Sequence, residues 1–188
     1  MIFWASTLTL ALAIQSAPLA DCRQADDAMI ALPLDDFDQG ENGWRSLDAA
    51  GCELAAADGI KLYRDRNAAT VANKDSTLIW HEAQLRASAG QTEAAVELML
   101  SGRETASRFM RPYTDATIAF LRRDREGLLA ARDALIALAE PQAFREAANR
   151  YAASYPDLPP LTWPLNLDVV DGLIACFDRP YAEAYKCR

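Results

Sequence analysis

The chain has 188 residues, of which 51% are hydrophobic and only eight are glycine. This length allows one domain with a substantial core, and the composition favours closely packed helices. The formal net charge of −8, from 27 acidic and 19 basic residues, argues against nucleic acid and anionic membrane surfaces as partners.

The first twenty residues carry no charge. Their apolar run from Ile2 to Ile14 is too short to span a bilayer, and a stretch of small residues follows it. We therefore predict a signal peptide at residues 1–20 and a single exported domain at residues 21–188. The expected location is the bacterial periplasm or the medium, with no stable membrane insertion after cleavage. A lipoprotein box is the alternative, although Asp21 stands where that box needs a small residue.

Four cysteines follow the predicted cleavage point, at Cys22, Cys52, Cys176 and Cys187. An even number in an exported chain predicts two disulfides. Three pairings are possible, and proximity in the sequence favours Cys22–Cys52 and Cys176–Cys187. A zinc site is disfavoured because the chain has no CxxC pair and only one histidine. No metal and no cofactor are predicted.

Most of the mature sequence has the hydrophobic spacing of helices arranged in pairs. The predicted hairpins lie at about residues 41–66, broken at Gly51, at residues 77–103, broken at Gly90, and at residues 114–139. No strand-like alternation of useful length is present. The sequence therefore predicts an all-α fold of stacked antiparallel helical hairpins.

Two further helical regions follow the hairpins, at about residues 141–155 and 168–186. Between them lies YPDLPPLTWPLN, whose prolines are incompatible with helix. We interpret it as an ordered crossover that places Trp163 on the helical core, with a recognition loop as the alternative. The ending, CFDRPYAEAYKCR, resembles the tails of uncharacterised exported bacterial helical proteins, and this resemblance implies no activity.

The hairpins share a spacing. Gly51 and Gly90 lie 39 residues apart, and each is followed at the same offsets by two apolar residues, whereas the third hairpin has Asp124 in place of the glycine. Around the second hairpin, the small residues Ala83, Gly90 and Ala95 resemble the small-residue positions of a tetratricopeptide repeat. The resemblance implies a right-handed solenoid of stacked hairpins and no particular ligand.

The only histidine, His81, stands in the sequence Trp80-His81-Glu82. A zinc-protease helix needs a second histidine four positions later, and Leu85 occupies that position. On a helix, His81 aligns with Leu78 and Leu85 at the border of the apolar stripe. We interpret it as a half-buried histidine with one nitrogen bonded to a carbonyl or carboxylate. The alternative is acid/base catalysis with a group from another helix.

Stacked hairpins would bring the first and second hairpins together as an aromatic and charged groove. The predicted binding residues are Trp44, Arg45, Trp80, His81 and Glu82. The acidic stretch LDDFDQGENG fails the calcium-loop register, because Glu41 occupies the position that needs glycine. We interpret this stretch as the solvated start of a helix. Serine-hydrolase and phosphate-binding glycine motifs are absent from the sequence.

These observations favour a non-catalytic exported helical scaffold that binds a protein or peptide partner. The alternative is a small-ligand binder or hydrolase with a cleft around Trp44, Trp80, His81 and Glu82. Shape distinguishes the two hypotheses. An open concave face that crosses two or more hairpins favours the scaffold, whereas a closed pocket around Glu82 favours the ligand site.

Overall fold

The computed structural model describes residues 22–72 and 75–187, so the predicted signal peptide lies outside the described residues. All regular structure within these ranges is helical, and the fold is therefore all-α. The helices in chain order are α1 (Asp27–Ile30), α2 (Leu34–Gln39), α3 (Arg45–Ala49), α4 (Glu53–Arg66), α5 (Ala68–Val71), α6 (Asp75–Ser88), α7 (Thr92–Thr105), α8 (Arg111–Leu121), α9 (Arg125–Ile136), α10 (Gln142–Ser154), α11 (Leu167–Ala175) and α12 (Tyr181–Ala184). Among the described helices, none has the length and apolar character needed to cross a bilayer.

Consecutive helices pack against each other in three pairs, α3 with α4, α6 with α7 and α8 with α9. Helix α4 also contacts α6, and α7 contacts α8, so each pair touches the next. The C-terminal helices close the fold, because α11 lies against α8 and α9 while α12 lies against α6 and α11.

Several helix boundaries differ from those expected. Helix α8 begins at Arg111 rather than Thr114, because Pro112 is tolerated in a first turn, where its missing N–H has no helical partner. Helix α6 begins at Asp75 rather than at about residue 77. The region 168–186 contains helix α11 and the short helix α12, which begins after Pro180. Helices α1 and α2 are additional to the predicted hairpins.

The three pairs share one turn geometry. Gly51, Gly90 and Arg123 each follow the first helix of a pair with a left-handed backbone, at φ of 75°, 80° and 58°. The next residue in each case donates its amide to a carbonyl five positions back, which is the Schellman motif. These bonds are Cys52 to Leu47 at 3.0 Å, Gln91 to Arg86 at 2.8 Å and Asp124 to Ala119 at 2.8 Å. Arg123 therefore takes the turn position that the spacing shared by the hairpins assigned to Asp124.

Helix α6 joins two hydrophobic clusters. Leu78 and Leu85 belong to an N-terminal cluster built from α1 to α6. Ala83 and Ala87 belong to a C-terminal cluster that extends to α12. Because the side chain of alanine is a single methyl group, these two positions allow α7 to approach α6 closely. Different faces of a single helix therefore support both halves of the molecule.

Each cluster has a disulfide at its edge, with the pairing that proximity favoured. Cys22–Cys52 ties the N-terminal segment to the start of α4, across 30 residues. Cys176–Cys187 closes the segment that contains α12, across 11 residues. Loop-closure entropy predicts about 4 kcal/mol of stabilisation for the longer loop and about 3 kcal/mol for the shorter.

The proline-rich crossover places Trp163 beside Phe109 and Phe144, with ring centroids 5.5 and 5.0 Å away. Its indole Nε1–H donates to the carbonyl of Leu138 at 2.8 Å, which fixes the ring against the end of α9. Helix α10 has no fully buried residue and therefore lies on the surface of the helical core.

Candidate functional site

The candidate site is a groove that follows one face of helix α6. It consists of two cavities, of about 540 and about 610 Å³. His81, Gln84 and Tyr185 line both cavities, so the two spaces adjoin at these side chains. The first cavity lies among α6, α7 and α8, and the second among α3, α6 and the C-terminal residues.

Helical geometry explains why α6 forms the floor of the groove. Thr77, His81, Gln84 and Ser88 follow the i, i+4, i+7, i+11 spacing and therefore share one face. Thr77 lines the first cavity and Ser88 the second. A single helix face thus runs from one cavity to the other.

The two cavities differ in chemistry. The first has mainly apolar walls, which include Trp80, Leu98 and Met99. The second has charged walls of both signs, formed by Arg45, Asp48, Glu53 and Lys186 with Trp44. Burial, followed by the neighbouring charge of Glu53, raises the pKa of Asp48 above its ordinary 3.8.

His81 is held by a carboxylate from helix α2. Its Nδ1 lies 2.9 Å from Oδ1 of Asp38, and the side chains of the two residues are 18% and 13% exposed. Trp44 Nε1 donates to the same oxygen at 3.1 Å, while Gln39 donates to Oδ2 at 2.6 Å. The Asp38 carboxylate therefore fixes His81 and Trp44 together at the wall of the groove.

The ionisation of Asp38 determines the tautomer of His81. Burial acts to raise the pKa of Asp38, but the hydrogen bonds from His81, Trp44 and Gln39 and the charge of His81 outweigh it and lower this pKa from 3.8 to about 2. An ionised carboxylate only accepts hydrogen bonds, so Nδ1 of His81 carries the hydrogen. When the ring is neutral, its acceptor lone pair is consequently on Nε2.

Arg45 completes this cluster. Its Nε donates to the backbone carbonyl of Asp38 at 2.7 Å, and its guanidinium lies 4.3 Å from the centroid of the Trp44 ring. These contacts hold a cation over an aromatic face at the edge of the second cavity. The first hairpin thus contributes an aromatic and a basic group to the groove.

Glu82, the residue after His81, is placed quite differently. It is 2% exposed, and its two oxygens accept from Arg64 at 2.9 Å and from Arg86 at 2.8 Å. Arg64 also bonds Asp75 at 2.6 Å, while Arg86 reaches Asp58 at 3.0 Å. We call these five residues the ionic network. This network joins α6 to α4, and both oxygens of Glu82 accept hydrogen bonds from arginines within it.

The predicted binding residues therefore divide among the two cavities and the ionic network. Trp44, Arg45 and His81 meet at the second cavity, and Trp80 lies on the first, with its ring 5.1 Å from that of Tyr113. Glu82 lines neither cavity, because its side chain points into the ionic network instead.

Asp38 is the site residue that the sequence analysis missed. The acidic stretch was interpreted as solvated, but Asp38 is 9% exposed and the adjacent Phe37 is fully buried. Leu34 and Phe37 could have indicated that this segment is a partly buried helix, because apolar residues three positions apart mark the inner face of a helix. What fixes Asp38 is its contact with His81, 43 positions further along the chain.

No cluster of three or more histidine, cysteine or acidic side chains able to hold a metal ion is present in the described part of the chain. Comparison with protein-family models, with curated protein sequences and with solved structures found no match.

Proposed function

We propose that the chain is a non-catalytic exported scaffold of tetratricopeptide-like hairpins, and that it binds an extended segment of a protein or peptide partner in the groove. The observation that carries this proposal is that two open cavities adjoin along α6. Together they contact all three hairpin pairs. A long depression across several helices suits an extended chain, whereas a compact ligand needs one enclosing pocket.

The chemistry of the lining supports a peptide ligand. The apolar first cavity offers burial for side chains, and the charged second cavity offers pairing to backbone or polar groups, the mixture found in protein–protein interfaces. The net charge of −8 attracts basic partners and repels acidic ones. The partner segment is therefore proposed to combine apolar side chains with a basic or neutral character.

Export is part of the same proposal. The two disulfides are typical of proteins that fold in an oxidising compartment such as the periplasm or the medium. A periplasmic or secreted scaffold would meet its partner in the cell envelope or outside the cell.

Peptide selection tests the proposal. A random peptide library displayed on phage is selected on the oxidised protein, and the recovered peptides are measured against two matched variants. Thr77→Arg places a long cation in the first cavity, whereas Thr70→Arg makes the same change at an exposed position on α5 that lines neither cavity. Both variants should melt like the wild type, because both positions are exposed.

We expect Thr77→Arg to weaken peptide binding about tenfold or more and Thr70→Arg to leave it unchanged. Failure to recover any peptide that distinguishes the two variants would contradict the scaffold proposal.

A second candidate function is a small-ligand binder or hydrolase, and the Asp38–His81 pair is the observation that favours it. A histidine oriented by a carboxylate can accept a proton through its other nitrogen. His81→Gln separates the candidates, because glutamine retains hydrogen bonding but cannot exchange a proton near neutral pH. Turnover of p-nitrophenyl esters by the wild type, lost in a stable His81→Gln, would replace the scaffold proposal with the hydrolase.

A further inference from the structure

A third cavity, of about 260 Å³, extends the groove beyond the first cavity. Ser107 and Met110 line both the first cavity and this one, so the two adjoin at the start of α8. Its remaining walls come from the beginning of α10 and from the crossover. We call it the aromatic pocket.

Three aromatic rings determine the chemistry of this pocket. Phe109 and Phe144 both pack against Trp163, at 5.5 and 5.0 Å between ring centroids. The polar Nε1–H of Trp163 is already bonded to Leu138 at 2.8 Å. The indole therefore offers its carbon surface to a ligand, and the pocket selects apolar groups over polar ones.

The size of the pocket limits its occupant. At about 260 Å³ it lies below the range of roughly 300–1,000 Å³ typical of small-molecule sites. One large side chain fits this space, whereas a helix or a second folded domain does not. Helix α10, which forms one wall, has no fully buried residue, so apolar surface is left there for a partner to cover.

We propose that the aromatic pocket is the anchor subsite for one large apolar side chain, aromatic or aliphatic, of the partner segment bound in the groove. This inference rests on the proposed peptide-binding function and specifies the ligand. The segment runs from the charged second cavity, through the apolar first cavity, and places its anchor among Phe109, Phe144 and Trp163. Interfaces commonly concentrate affinity in such a desolvated side-chain pocket.

The test uses two variants on the same helix. Ala143→Phe fills the pocket from its wall, and Ala153→Phe adds the same ring at an exposed position of α10 that does not line the pocket. Peptides recovered from the random phage library are measured on the wild type, on both α10 variants and on Thr77→Arg. Each recovered peptide is also resynthesised with its single large apolar residue replaced by alanine.

We expect Ala143→Phe to weaken binding about tenfold or more, Ala153→Phe to leave it unchanged, and the alanine-substituted peptide to lose its sensitivity to Ala143→Phe. Peptides weakened by Thr77→Arg but not by Ala143→Phe would overturn the anchor subsite and leave the groove proposal standing. Equal weakening by both α10 variants would also overturn it. Recovery of no peptide sensitive to Thr77→Arg would overturn the groove proposal and the anchor with it.

Discussion

Two faces of helix α6 use polar side chains in opposite ways. On the face toward α4, Glu82 is 2% exposed and both of its oxygens are paired to arginines. On the groove face, His81 is paired to Asp38 through one nitrogen and lines two cavities. Adjacent residues in the sequence thus belong to different parts of the molecule.

The difference shows which charges hold the fold together and which are available to a ligand. A buried carboxylate whose two oxygens both bond guanidinium groups is shielded from a ligand, and its removal takes a shared partner from both arginines. A side chain on a cavity wall with one fixed hydrogen bond is oriented but still accessible.

Removing Glu82 should have the largest effect. Glu82→Ala removes the carboxylate that Arg64 and Arg86 share and leaves each arginine with one aspartate partner, Asp75 or Asp58. We expect a loss of about 3 kcal/mol in the free energy of unfolding, measured by urea denaturation. The matched change at exposed Glu97, on α7, should stay within about 0.5 kcal/mol. Similar costs at the two glutamates would mean that the ionic network is not structural.

Asp38→Asn should have the next largest effect, and a pH-dependent one. The folded-state pKa of Asp38 is about 2, below the ordinary 3.8, so its ionised form stabilises the folded protein above pH 4. This stabilisation is about 2 kcal/mol and disappears as the pH falls from about 4 to about 2. Wild type and variant should therefore differ in unfolding free energy at neutral pH and converge near pH 2. A difference that persists unchanged down to pH 2 would contradict the assignment.

The turn after α6 should have a smaller effect. Gly90 has φ of 80°, and a Cβ placed there meets no atom within 4 Å, so we attribute the cost of Gly90→Val to backbone strain. We expect about 1 kcal/mol or more, seen as a lower melting temperature. The control is Ala89→Val, at the exposed preceding position. Equal melting temperatures for the two variants would mean that the left-handed conformation at Gly90 does not contribute to stability.

His81→Gln should have the smallest effect on stability. A glutamine amide can still donate to Asp38, so the free energy of unfolding should change by about 1 kcal/mol or less. The measurement is thermal melting of His81→Gln and Glu82→Ala side by side, which compares the stability lost by the two variants. A His81→Gln variant as unstable as Glu82→Ala would place His81 with the structural residues of α6.

Local sequence patterns predicted much of the fold. Helical spacing gave the three hairpins, including α4 from Glu53 to Arg66, and the turn at Gly90 follows from glycine at the end of a periodic segment. Proximity gave both disulfides. The stacking of these hairpins as a solenoid stays a prediction.

The site was only partly predictable, because its contacts are long-range. The spacing pattern placed His81 at the border of an apolar stripe, but its partner Asp38 is 43 residues away. Glu82 and Arg64 are 18 residues apart and belong to different hairpins, so neither residue reveals the other in the sequence. Which neighbour of a helix a polar side chain meets depends on how hairpins pack, and local periodicity does not contain that information.

Nuclear magnetic resonance of side-chain N–H groups tests the division of α6 most directly. A groove-binding peptide from the library is titrated into the oxidised protein, and four signals are followed. Two belong to the groove, the Gln84 amide and the Trp80 indole, and two to the ionic network, the Nε–H groups of Arg64 and Arg86. We predict that the groove signals shift with peptide concentration while the network signals stay in place. Shifts at Arg64 and Arg86 with unchanged signals from Gln84 and Trp80 would contradict the account.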